Sequence, residues 1–269
     1  MLKTRLNNGI EMPLLGLGVY DMHDDEAVAA VTHALQTGYR LIDTASMYNN
    51  EVQVGMGVRA SGIPRNEIFV TTKVNNNQQG YDETLRAFEE SMKKLDIGHI
   101  DLYLLHWPIK KSRKETWRAM ERLYDEKLVR AIGVANYLEP FLNELATYGN
   151  VTPAVDQVEF SPWLYLKELL SRTQKDGIAL QAYTPLARGK KFDAPLLQTL
   201  KVKYGKTEAQ LVLRWILQLG VSAIPKSSNP ARIEENFGAL DFTLTQDDMV
   251  SLASLHENFR VVDDPLIYL

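Results

Sequence analysis

The chain has 269 residues, 45% of them apolar and 24% charged, with a formal net charge of −4. That size and balance suit a globular protein with a substantial core, and the acidic surplus gives no footing for nucleic acid or an anionic membrane, which select basic surfaces. Cysteine is absent, which excludes disulfides, a thiolate nucleophile and cysteine-ligated metal sites.

The opening MLKTRLNNGIEMP lacks the apolar core of a secretory signal, and no window approaches the roughly 18 apolar residues of a membrane span. A cytoplasmic location is therefore expected. The five histidines lack metal-ligand spacing, so no metal is expected. No linker or low-complexity stretch divides residues 1–269, which read as a single domain. Nothing in the chain fixes an oligomeric state, and a monomer is the default.

The first predicted element is a β-hairpin, residues 2–6 and 9–12, turning at Asn7-Asn8-Gly9. A short apolar strand over 14–18 follows, then a helix over 24–37 with Gly38 at its end. Strand 40–43, helix 50–61, the β-branched strand 68–74 and helix 81–95 continue the series. Strand 100–106 is apolar on both faces, as a buried parallel strand requires. Then come helix 114–127, strand 129–134, helix 138–148, strand 154–159, helix 167–176 and strand 178–183. Helices between 195 and 219, strand 222–225, and helices 230–237 and 246–255 complete the chain.

Strict alternation of strand and helix means a parallel sheet. About eight such units in a chain near 250 residues favour a closed (β/α)8 TIM barrel over an open doubly wound sheet. The dinucleotide fingerprint G-x-G-x-x-G is missing, since Gly16-Leu17-Gly18 runs on into Val19-Tyr20-Asp21. The hairpin is expected to plug the bottom of the barrel.

Barrel chemistry sits at the C-terminal ends of the strands. Read in order, those ends supply Asp43, Lys73, His106, Asn136, Gln157 and Tyr183, with Tyr48 in the loop after Asp43. Singly, each has a structural explanation: a helix cap, a snorkelling lysine, a loop aromatic, a histidine bonded to backbone. Jointly they suggest proton transfer. A buried ammonium lowers the pKa of a neighbouring phenol, ordinarily about 10. Lys73 supplies that charge to Tyr48 and Asp43 holds Lys73 in place, so a phenol acidic near neutral pH is expected, as general acid catalysis favours. His106 would orient a carbonyl oxygen. No side chain can supply a hydride, so a cofactor must.

At this point the chain resembles the aldo-keto reductase superfamily over essentially its whole length. Gly38-Tyr39-Arg40-Leu41-Ile42-Asp43-Thr44-Ala45, with Tyr48, Glu51, Val54 and Gly55, is similar to its first signature. Arg130-Ala131-Ile132-Gly133-Val134-Ala135-Asn136-Tyr137 resembles the second, and Ile224-Pro225-Lys226-Ser227 with Arg232, Glu235 and Asn236 the third.

The resemblance implies NADPH lying across the barrel top, Tyr48 as proton donor, and Asp43, Lys73 and His106 completing a catalytic tetrad. It places Asn136 and Gln157 at the nicotinamide carboxamide and Tyr183 on the nicotinamide ring. Thr184, Pro185, Leu186 and Ala187 would follow the pyrophosphate, with Gly18, Val19, Tyr20 and Asp43 also against the cofactor. Lys226, Ser227, Ser228, Asn229 and Arg232 gather where a helix begins, a setting suited to a phosphate, which favours NADPH over NADH. Glu235 and Asn236 would meet the adenine. Tyr20, Tyr48, His106 and Trp107 would line the substrate site, with Val74, Asn75 and Trp163 as further candidates.

Two departures stand out. Ala135 replaces the usual serine or cysteine before the asparagine, which implies one carboxamide hydrogen bond fewer, worth about 0.5–1.5 kcal/mol. The tryptophan usual after the tetrad lysine is replaced by Asn75-Asn76-Asn77-Gln78. The tail after Asn258 is short, which suggests an open pocket for small aldehydes, keto acids, diketones or keto sugars. Two other classes are compatible with the same fold: a non-catalytic NADPH-binding protein, and an aldolase or isomerase using Lys73 as a Schiff-base amine.

Overall fold

Residues 2–269 are described in a computed structural model. The chain opens with strands β1 (Lys3–Arg5) and β2 (Glu11–Pro13), paired antiparallel with Thr4 opposite Met12. Gly9, at φ 87°, takes the left-handed position of the turn, and Leu6 N–H closes the loop on the Ile10 carbonyl at 2.8 Å. Only glycine adopts such a φ without steric cost. Asn7 and Asn8 donate to the carbonyls of Pro153 and Arg130. The hairpin is thereby fastened to the lower rim, at the start of a strand and in the loop before the next.

Eight parallel strands follow, each feeding helical structure: β3 (Leu17–Gly18), β4 (Leu41–Asp43), β5 (Phe69–Val74), β6 (Ile100–Leu105), β7 (Val129–Ala135), β8 (Val155–Glu159), β9 (Ala179–Tyr183) and β10 (Ser222–Ala223). They pair in chain order from β3 to β10. The first and last strands meet through the bridges Leu15–Ala223 and Gly18–Lys226, which close the ring. The ten α-helices among the described residues include α1 (Asp24–Thr37), α2 (Glu51–Ala60), α3 (Tyr81–Leu95), α4 (Arg113–Asp125), α5 (Glu139–Leu145) and α6 (Lys167–Asp176). After β9 come α7 (Pro195–Tyr204) and α8 (Glu208–Gln218), then α9 (Pro230–Phe237) and α10 (Gln246–Ala253) after β10. This is the (β/α)8 architecture that the alternation implies.

The two-residue period of a strand sorts side chains onto two surfaces. Leu41, Phe69, Leu102, Leu104, Ala131 and Val155 point inward and form one apolar cluster with Leu6 and Met12 of the hairpin. The plug is thus the floor of the barrel interior. Ile42, Val70, Tyr103, Leu105, Ile132 and Val134, on the alternate parity, join the larger cluster under the helices. Asp43, Lys73, Gln157, Gln181 and Tyr183 share the inward parity, two or four residues beyond Leu41, Phe69, Val155 and Ala179. That register carries Asp43, Lys73 and Tyr183 to the upper ends of their strands and leaves Gln157 and Gln181 at mid-strand.

Helix signals match their chemistry. Helix α3 begins with Asp82 and Glu83 and ends with Lys93 and Lys94, matching the macrodipole at both ends. Thr207 and Gln210 form a capping box on α8. Helix α1 ends at Gly38, φ 125°, where a Cβ would lie 2.8 Å from the Phe237 ring of α9.

Candidate active site

At the top of the barrel lies a cavity of about 950 Å³ running from Tyr48 and His106 to Arg232 on α9. Asp43 borders it, and Lys73, which does not, lies buried behind Asp43. Lys73 is fully buried, and its ammonium donates to Asp43 Oδ1 at 2.6 Å, to the Thr44 carbonyl at 2.8 Å and to the Tyr48 hydroxyl at 3.4 Å. All three amine donors therefore have partners within hydrogen-bond distance. Asp43 Oδ2 accepts from Gln157 Nε2 at 2.7 Å.

Tyr48 ends a 3-10 turn, Ser46–Tyr48. The Ser46 hydroxyl pins that turn by donating to the Lys73 carbonyl at 3.0 Å. Asn50, just beyond, is buried and donates to the carbonyls of Val19 and Met22. The β3–α1 loop carrying Tyr20 is held there. The Tyr20 ring meets the Tyr48 ring edge-on at 5.1 Å, and the His106 ring lies 5.7 Å from Tyr48 on another side.

Electrostatics corrects one sequence expectation. Burial, with the charge of Asp43 next and Tyr20 adding to it, pushes the Tyr48 phenol well above 10. All three contributions raise it, opposite to the acidification that a neighbouring ammonium would give. Burial also brings the titrations of the paired groups closer together, raising the Asp43 carboxyl and lowering the Lys73 ammonium, and their mutual attraction opposes both shifts. Burial, with Lys73 adding to it, holds the His106 imidazole well below 6.5. Tyr48 is thus a neutral, protonated phenol and His106 a neutral imidazole at pH 7.

Farther along the cavity, Asn136 adopts φ 65°, a left-handed conformation that asparagine tolerates. Its Nδ2 donates to the His106 carbonyl at 2.9 Å, and its Oδ1 accepts from the Tyr183 hydroxyl at 2.8 Å. Ala135, fully buried one residue earlier, packs in the interior apolar cluster. The loop after β9 carries three non-glycine residues at positive φ: Thr184, Ala187 and Arg188. Such strain persists only where surrounding structure imposes it and concentrates at functional sites.

At the far end, Lys226, Ser227, Arg232, Glu235 and Asn236 line the cavity. Asn229 instead caps α9, its side chain accepting from Arg232 N–H at 3.2 Å. Among the described residues, neither Lys226 nor Arg232 has a carboxylate partner. Gly18 completes the wall, where a Cβ would lie 2.8 Å from the Ile224 carbonyl.

Of the residues expected at the site, Gly18, Tyr20, Asp43, Tyr48, His106, Trp107, Asn136, Gln157, Tyr183, Thr184 and Leu186 border the cavity with the α9 group. Val19, Pro185, Ala187, Ser228 and Asn229 do not border it, nor do Val74, Asn75 and Trp163. Trp163 is 2% exposed and offers its carbonyl to Glu257 and Phe259 N–H instead. The polar loop 75–78 also stands back. Next to it, Gln79 donates to the Trp107 carbonyl at 2.7 Å and so braces a cavity wall from behind.

Met47, Arg188, Phe192 and Val262 border the cavity without a sequence signal of their own. The short tail does not leave this face bare. Glu159 at the end of β8 accepts from Val261 and Val262 N–H. Tyr268 packs 5.6 Å from Trp107, and Arg113 holds its carbonyl at 3.0 Å.

The residues present fit a nicotinamide dinucleotide phosphate. The cavity carries amides at the barrel axis, a strained loop along one side and two unpaired cations with a hydroxyl at the far end. A phosphate is stabilised by such groups.

A sequence profile of the Aldo/keto reductase family matches residues 14–257. An uncharacterized oxidoreductase of Bacillus subtilis (strain 168) is 47% identical over 268 residues, covering 98% of this chain and 96% of the relative. A protein of the same organism named glyoxal reductase is 46% identical over 263 residues, covering 97% and 95%. Among solved structures, an aldo-keto reductase from a Medee basin deep-sea metagenome library superposes with TM-score 0.95 at 41% identity, covering 97% of each chain. A Bombyx mori aldo-keto reductase in complex with NADP gives TM-score 0.91 at 34% identity, covering 97% of this chain and 95% of that one. The chain is a (β/α)8 oxidoreductase and belongs to the aldo/keto reductase family.

Proposed function

We propose that this chain reduces small aldehydes and ketones to alcohols with NADPH, with Tyr48 as the general acid. The observation that carries this reading is the joining, in one cavity, of the Asp43–Lys73–Tyr48 hydrogen-bonded row to the unpaired cations Lys226 and Arg232. The bound cofactor would supply the hydride, a species no side chain can provide.

Each residue has a distinct task. The neutral imidazole of His106 orients the carbonyl oxygen beside the Tyr48 hydroxyl. Tyr48 releases its proton to that oxygen as negative charge develops there. A phenol held above 10 is a weak acid toward water. It is nevertheless a competent donor to an alkoxide, which is far more basic. Lys73, already 3.4 Å from the phenol oxygen, steadies the phenolate left behind. Asp43 keeps Lys73 charged and fixed. Asn136 and Gln157 hold the carboxamide of the cofactor, and Tyr183 takes its ring. Lys226, Ser227 and Arg232 hold the 2′-phosphate, which distinguishes NADPH from NADH.

A small substrate suits the site, whose lining includes Tyr20, Trp107 and the tail residue Val262. The relative named glyoxal reductase points to the same substrate class. A cytoplasmic location accords with this use of NADPH. The test is NADPH and NADH oxidation, side by side, with a carbonyl panel including methylglyoxal and a nitrobenzaldehyde. Turnover with NADPH is expected. A tight NADPH complex that turns over nothing across the panel would overturn the catalytic reading in favour of a binding role.

A further inference from the structure

A row of polar side chains runs through the barrel interior beneath Asp43. Gln157 Nε2 donates both to Asp43 Oδ2 and to Gln181 Oε1, each at 2.7 Å. Gln181 Nε2 donates onward to Ser222 Oγ at 3.1 Å, and the Ser222 hydroxyl donates to the Pro13 carbonyl at 3.4 Å. Gln157 is register partner to Gln181, and Gln181 to Ser222, so the row crosses three adjacent strands. Gln181 and Ser222 are fully buried. Neither borders the cavity.

The two ends of the row fix its direction. A carboxylate and a backbone carbonyl can only accept. An amide carries both donors on one atom and its acceptor on the other. With both N–H groups of Gln157 committed to Asp43 and Gln181, its Oε1 is left to the cavity that Gln157 lines. Reversing that amide would set oxygen against the Asp43 carboxylate and against Gln181 Oε1. Gln181 holds its own orientation because Ser222, tied to the hairpin plug, takes its N–H. An apolar residue at 181 would remove the Gln181 half of this constraint, leaving Asp43 alone to orient the Gln157 amide and one Gln157 N–H without its partner.

We propose that Gln181 is a positioning residue that fixes the Gln157 amide, so that the site presents an acceptor to the amino group of the nicotinamide carboxamide. The inference rests on the NADPH reading above. It also assigns the hairpin plug a share in shaping the cofactor site, through Pro13.

The test uses the full chain as wild type, Gln181→Leu, Gln157→Leu and the double variant. Calorimetry gives Kd for NADPH and for adenosine 2′,5′-bisphosphate, which has the phosphate-bearing adenosine but no nicotinamide. Gln181→Leu should weaken NADPH about three- to tenfold, the loss of one oriented hydrogen bond, and leave the bisphosphate unchanged. The double variant should bind NADPH no more weakly than Gln157→Leu alone. Equal losses for both probes, additive losses in the double variant, or an unchanged NADPH affinity in Gln181→Leu would overturn the proposal. Wild type that binds no NADPH would remove the cofactor reading itself, an outcome distinct from those. Should Gln181→Leu fail to fold, Ser222→Ala reads the same row one step away, with a smaller loss of the same kind expected and an unchanged NADPH affinity overturning the proposal.

Discussion

The Lys73 ammonium stands 3.4 Å from the Tyr48 hydroxyl, yet burial and not that ammonium governs the phenol, whose pKa is held well above 10. A protonated phenol is the form needed for carbonyl reduction. Deprotonation of the free enzyme's Tyr48 should therefore not limit kcat/KM anywhere below pH 9, and the profile there should stay flat. A fall centred near pH 8 would mean that Lys73 does acidify the phenol, as the residue pattern alone suggests. Tyr48→Phe should cut turnover by about 10²–10⁴-fold, the usual contribution of a general acid. Its NADPH affinity, read by fluorescence titration, should not change.

The Asp43–Lys73 pair has almost no contact with solvent, with side chains 3% and 0% exposed. Removing one partner of such a pair leaves an uncompensated buried charge and typically costs about 3–5 kcal/mol. Lys73→Met should lower stability to urea by that order, and adding Asp43→Asn should restore a substantial part. Both variants should be inactive. A double variant as unstable as Lys73→Met would show that packing, not charge pairing, carries the stability.

The sequence displays the barrel because strand and helix alternate and because the inward parity puts Asp43, Lys73 and Tyr183 at strand ends. It shows the tetrad for the same reason. Three features escape it. The ring closes through isolated bridges at Leu15 and Gly18, where two-residue strands leave little periodicity to read. Val262 reaches the cavity only because Glu159 captures the backbone of the tail. A distant carboxylate binding two N–H groups has no local signature. The acidity of Tyr48 depends first on its burial and then on how near the Asp43 charge lies, which are matters of packing and not of spacing.

Arg232 tests the far end of the cavity. Its side chain is exposed at the start of α9 and has no carboxylate partner among the described residues. A charge-assisted hydrogen bond to a phosphate is worth about 1.5–3 kcal/mol. Arg232→Ala should then raise the Kd for NADPH about 10- to 100-fold and that for NADH less than about threefold. Equal loss of both would remove the 2′-phosphate assignment.

Asp156, beside Gln157 on β8, faces the helices and not the barrel axis. It is fully buried, and no side chain among the described residues hydrogen-bonds to either carboxyl oxygen. Burial pushes its pKa well above 3.8, with the Tyr137 backbone N–H opposing. A folded-state pKa above the unfolded value means that the folded protein binds the extra proton. The associated stability is complete below about pH 4 and is lost as pH rises toward the folded pKa. The loss can reach about 1.4 kcal/mol per pH unit within that window. Asp156→Asn has no proton to lose. Its stability relative to wild type, from urea unfolding at pH 5, 7 and 9, should rise from the lowest to the highest pH. An offset that stays constant across the three would show that the folded chain accommodates the Asp156 carboxylate at no cost, and would place the origin of any stability change in packing.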